Sequence, residues 1–132
     1  MIDEDLKAML SNNWDETVVD RPRIVLAREV RMIDLQAGDI IVIDAPTEEE
    51  EFFGIGARDY LKRARCALHI RTSVGAERAE KMLQVVRSVL RKKENWSGWA
   101  LLRFVALESL MDREKKIYSF TAEVEAMKSE SV

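Results

Sequence analysis

The chain carries one cysteine, one histidine and two prolines in 132 residues. A single cysteine excludes an internal disulfide, so nothing here marks an oxidising compartment. One cysteine and one histidine also fall short of the three or four ligands that zinc takes, and no carboxylate spacing supplies the rest. Two prolines and five glycines exclude collagen-like and low-complexity chains. No apolar run approaches the roughly 20 residues of a membrane helix. The opening stretch MIDEDLKAMLSN places three acids before any apolar block, the wrong polarity for a secretory signal. Charge of one sign is lacking too. A net charge of −3 gives no global pull towards nucleic acid or anionic lipid. The expectation is a cytosolic, or cytosolically assembled, protein with no membrane partner.

What is present suits one compact domain over 1–132. Apolar residues make up 47% and charged residues 34%, enough for a core and a solvated surface. Residues 2–13 read as a short amphipathic helix, with Ile2, Leu6, Met9 and Leu10 at helical spacing and Asp3, Glu4 and Asp5 suiting its first turn. NNWDETVVDRP, 12–22, reads as a loop in which Trp14 is either a core plug or a contact residue. RIVLAREV, 23–30, is β-branched and short, and GDIIVIDAP, 38–46, is a clearer strand with a turn before it and a proline after. TEEEEFFGIGAR, opening at Thr47, reads as a long acidic and aromatic loop over 47–58 that forms a hairpin tip or lid.

RARCALHIRT, 63–72, alternates as a strand. The best helix follows over 75–93, with Ala79, Met82, Leu83, Val86, Val89 and Leu90 in one stripe. Glu77 and Glu80 near its start and Arg91, Lys92 and Lys93 at its end match the helix dipole. WALLRFVALESL, 99–110, and IYSFTAEVEAM, 117–127, read as an antiparallel hairpin, with 128–132 a frayed tail. The expected fold is α+β: a mainly antiparallel five-stranded sheet packed against one long helix, plus a short N-terminal helix. The passage 63–107 forms one strand–helix–strand crossover.

Cys66 and His69 lie three apart on a strand and therefore point to opposite faces, so they cannot act as nucleophile and base. Cys66 is expected as a small buried residue and His69 as a polar residue of a sheet face. Arg65, His69 and Arg71 share a face, either as a weak basic patch for anions or as an ordinary solvated face paired with the acidic segment. GIG, which starts at Gly54, begins a dinucleotide fingerprint, but Asp59 stands where the third glycine belongs. No phosphate-loop motif occurs, and 24 acids make carboxylate pairs uninformative. The basic helix face of Arg78, Lys81, Arg87, Arg91, Lys92 and Lys93 lacks the interleaved aromatics of a nucleic-acid platform.

Several stretches carry a likeness to a known family: NWDETVVDRPRI leading into a first strand, GDIIVID, ALHIRTSVGAERAEKMLQVVRSVL, and the closing pair WALLRFVALESL and KKIYSFTAEVEAM. Together these resemble the tail terminator and tail completion (neck) proteins of long-tailed viruses and proviruses. The resemblance implies a non-enzymatic structural protein with no catalytic residues, no cofactor and no metal. It implies a ring, typically a homo-hexamer, at the head-proximal end of the tail tube or in the neck of the virion, assembled in the host cytoplasm. Its partners would be further copies of itself, the tail tube protein and the head connector, with DNA passing only through the lumen. A ring needs head-to-tail interfaces that close by rotation. The interface expected for it is Glu48, Glu49, Glu50, Glu51, Phe52 and Phe53, the phenylalanines anchoring and the glutamates forming a rim. Trp14, Trp96 and Trp99 are further interface candidates, local core packing being the competing reading. Two other functions stay open: a ferredoxin-like small-molecule-sensing or regulatory domain, and an enzyme using Arg65, His69 and Arg71.

Overall fold

The computed structural model describes residues 2–29, 38–52, 59–92, 99–112 and 117–131, with side chains placed over 2–29, 38–44, 62–92, 99–107 and 117–128. In chain order the elements are α1 (Ile2–Asn13), β1 (Arg23–Leu26), a 3-10 turn (Ala27–Glu29), β2 (Asp39–Phe52), β3 (Asp59–Thr72), α2 (Ala76–Arg91), β4 (Trp99–Asp112) and β5 (Ile117–Ser131). The five strands form one sheet in the order β1-β2-β3-β5-β4. β1 and β2 pair in parallel, and β2–β3, β3–β5 and β4–β5 pair antiparallel. The architecture is therefore α+β with a mixed sheet. The parallel β1–β2 pair is not legible in RIVL and DIIVI, because a β-branched run carries no sign of direction. β5 lies between β3 and β4, which themselves run parallel and are joined through α2.

Both helices pack on one side of the sheet. The alternation of β3 puts Ala64, Cys66, Leu68, Ile70 and Thr72 on that side, all buried. Ile41 and Ile43 lie beside Ile70 and Leu68 in register, and Ala122, Val124 and Ala126 continue the layer on β5. α2 buries Ala79, Met82, Leu83, Val85, Val86, Val89 and Leu90 against it. α1 contributes Ile2, Leu6, Met9 and Leu10 to the same core. Each buried Val, Leu, Ile or Met among these stabilises the fold by about 1.5–3 kcal/mol through lost water contact. Ion pairs fasten α1 to the turn after β1: Arg28 meets Glu4 at 2.6 Å and Asp3 at 3.7 Å, and Lys7 meets Glu29 at 3.8 Å. These are mostly exposed pairs and contribute little each.

Three boundaries differ from the sequence reading. β1 ends at Leu26, where the 3-10 turn begins, and does not reach residue 30. Residues 47–52, expected as loop, belong to β2. Glutamate disfavours strands, but here the backbone ladder continues past the irregularity between Asp44 and Thr47, with Thr47 to Phe52 opposite Arg65 to Tyr60. The expected tail is strand as far as Ser131, because Ser129, Glu130 and Ser131 pair with Leu61, Tyr60 and Asp59. The rest of the expected loop, 53–58, lies outside the described residues.

Candidate interaction surface

The sheet has one face with no described helix over it, and the odd-numbered residues of β3 build its centre. Arg65, Ala67, His69 and Arg71 alternate with the buried row and so project from it. Cys66 is 3% exposed on the opposite side. The separation of Cys66 from His69 expected from their spacing is what the strand produces. The His69 ring lies half-buried, with Nδ1 3.4 Å from the Thr121 hydroxyl.

Register sets what stands beside this row. Arg65, Ala67 and His69 lie opposite Glu125, Glu123 and Thr121 on β5. Those three lie opposite Arg103, Val105 and Leu107 on β4. Arg65, Glu125 and Arg103 thus form one row across three strands. A shallow groove of about 250 Å³ runs here, lined by Arg65, Ala67, Arg103, Glu123 and Glu125 among others. Two guanidinium groups and two carboxylates line it in alternation, so its charge is balanced internally. Such a groove gives a phosphate no net attraction. Further along β4 the character changes: Val105 is half-buried and Leu107 is 57% exposed.

The interface candidates distribute unevenly. Trp14 is half-buried against the core and its indole N–H donates to the Val19 carbonyl at 2.9 Å. Trp99 is buried, donates to the Asp5 carboxylate at 2.9 Å, and has the Lys128 ammonium 5.8 Å from its ring centre. Both are engaged within the subunit, which corresponds to the core-packing reading. Glu48, Glu49, Glu50, Glu51 and Phe52 lie in β2 opposite Ala64, Arg63, Lys62, Leu61 and Tyr60. They therefore sit on a paired strand and not on a free loop. Phe53 and Trp96 lie outside the described residues.

The basic face of α2 is also partly engaged at home. Lys81 pairs with Glu77 at 3.3 Å, and the Arg87 guanidinium sits 5.5 Å from the centre of the Phe104 ring. Arg78 reaches across to β2, where its Nε and Nη2 both lie 2.6 Å from one Asp39 oxygen. The other Asp39 oxygen accepts the Thr72 hydroxyl at 2.5 Å, and the same hydroxyl oxygen accepts the Val74 N–H at 3.1 Å. The Ser73 N–H donates to the Gly38 carbonyl at 2.8 Å. This clamp joins the start of β2, the end of β3 and the first turns of α2. Residue spacing did not point to it, since Asp39 and Arg78 stand 39 positions apart.

In the loop after α1, the Asp15 carboxylate is held below its ordinary range. The Thr17 hydroxyl hydrogen bond is the main cause, followed by the Thr17 backbone N–H and the charge of Lys92. Among the described residues, no group of three or more His, Cys, Asp or Glu side chains converges on a possible metal position. No described helix is long and apolar enough to cross a membrane. No family model matches the chain, and a search of curated proteins finds no match.

Proposed function

We propose that this chain is a structural assembly protein of a virion, forming a ring at the head-proximal end of a tail tube or in the neck. In that role it caps tube polymerisation and joins tail to head connector. The reading rests on the family resemblance of its stretches and on one structural observation. Both helices cover the same face of the sheet, and the opposite face, together with the outer edge of β4, has no described element over it. A subunit that meets its neighbours through sheet faces and edges is built this way. The balanced charge of the Arg65–Glu125–Arg103 row favours this reading over an anion-binding site. DNA would pass through the lumen without a patch that grips phosphate.

Negative-stain electron microscopy of the concentrated protein tests the proposal, with His69→Ala beside it. Closed rings of uniform subunit number, unchanged by the substitution, are the expected outcome. Absence of rings, together with a small-molecule turnover that His69→Ala abolishes, would reject assembly in favour of the enzymatic alternative.

A further inference from the structure

β4 is an edge strand of 14 residues, paired with β5 on one side and with no described strand on the other. Natural edges of this length are usually blunted by charges, prolines or bulges. Here the ladder with β5 shifts register only near the two ends, between Leu101 and Arg103 and between Ser109 and Asp112. Between these shifts the pairing runs unbroken from Arg103 opposite Glu125 to Ser109 opposite Ser119. Inside that stretch residues 104–107 read Phe-Val-Ala-Leu, with no charge and no proline. These four residues of the edge are regular and apolar, with Arg103 and Glu108 immediately outside them. They include Leu107, one of three large apolar side chains that stand well out in solvent among the described residues.

We propose that the middle of β4 is a self-association site, whose occupant is β4 of a second copy of this chain running antiparallel. The side-chain alternation of the strand narrows the register. Opposed residues must share a face, so a two-fold axis has to pass through a residue. With the axis at Ala106, Leu107 of each copy stands directly opposite Val105 of the other, on the helix-free face. Two Leu–Val pairs then form one apolar cluster across the axis, covering the side chain that the single subunit leaves 57% exposed. An axis one pair earlier, at Val105, would set Arg103 opposite Leu107. An axis one pair later, at Leu107, would set Val105 opposite Ser109. Only the Ala106 register matches apolar to apolar at both positions. The product is a single ten-stranded sheet with helices on one side. The contact is isologous and closes at two copies, so it is separate from the head-to-tail contacts a ring requires.

Sedimentation velocity at about 100 µM, where a dimer with a Kd of about 10 µM is mostly associated, reads the result directly. The β4 contact doubles the mass of whatever carries it: the expected species has twice the 15.2 kDa mass of the chain, or twice the ring mass where the separate head-to-tail contacts have also closed a ring. The double substitution Val105→Lys with Leu107→Lys places like charges opposite one another twice, weakening association about tenfold or more. Val74→Lys, at an exposed apolar residue just before α2, leaves the mass unchanged. Circular dichroism of both variants checks that the fold survives. Register has its own readout. In the Ala106→Cys variant each new thiol faces its copy at about 4.5–5.5 Å between Cα atoms, within disulfide range, so mild oxidation gives a covalent dimer. The same substitution at Val74 does not. A wild-type monomer at this concentration overturns the proposal. So does a doubling in mass whose affinity is unchanged by the double lysine substitution, because its contacts then lie elsewhere.

Discussion

Replacing Asp39 with Ala removes the centre of the clamp between β2, β3 and α2. Its carboxylate accepts two N–H groups of Arg78 at 2.6 Å and the Thr72 hydroxyl. The carboxylate side chain is 18% exposed and the Arg78 side chain 24%, so water replaces few of these bonds. Hydrogen bonds to a charged group stabilise by about 1.5–3 kcal/mol net, and breaking a fully buried pair costs about 3–5 kcal/mol. This pair is less buried than that, so Asp39→Ala is expected to cost about 2–3 kcal/mol. For a domain of this size that lowers Tm by roughly 6–12 °C. Urea unfolding followed by circular dichroism gives the same quantity from the midpoint at unchanged slope. A cycle with Arg78→Ala isolates the pair and should return a coupling of about 1–2 kcal/mol. A coupling within about 0.3 kcal/mol of zero would show that the guanidinium and carboxylate act independently, and the clamp argument would fail.

Leu68 is fully buried at the centre of the sheet. Leu68→Ala should cost about 3–4 kcal/mol by leaving a cavity under α2, measured by the same unfolding titration. Asp15 should titrate below the usual aspartate range, and Thr17→Val should raise its midpoint, as followed by NMR of the carboxylate. The sign is set by the depressed value: the Asp15 contribution is present above the unfolded midpoint and fades as pH falls through the folded one. Wild type should therefore lose slightly more stability than Thr17→Val over that acid range. Cys66 should resist a thiol reagent in native buffer and react at once in denaturant, because it is 3% exposed on the helix side of β3. Fast native labelling would contradict that placement.

The sequence was most informative where a single period ran uninterrupted. The stripe from Ala79 to Leu90 predicts α2 to within two residues at each end, because seven buried side chains enforce the same phase. The alternation in β3 places Cys66 and His69 on opposite faces for the same reason. Legibility failed where partners distant in sequence decide. Residues 48–51 form strand because the backbone of β3 runs opposite them from Ala64 to Leu61, a pairing that no local propensity contains. The direction of β1 depends on β2, and the Asp39–Arg78 clamp depends on the fold bringing two remote polar groups together. Trp14 and Trp99 illustrate a different ambiguity. A tryptophan in a loop or at a strand start suits an interface or a core equally, and no local pattern announces the partners within the subunit, the Val19 carbonyl and the Asp5 carboxylate.

If the proposed assembly role holds, the molecule acts by presenting surfaces to copies and neighbours. Native mass spectrometry of the purified chain tests it most directly. Assemblies at whole multiples of 15.2 kDa with no additional bound mass are the expected result. A monomer at every concentration, carrying a metabolite or metal that is lost on His69→Ala, would contradict it.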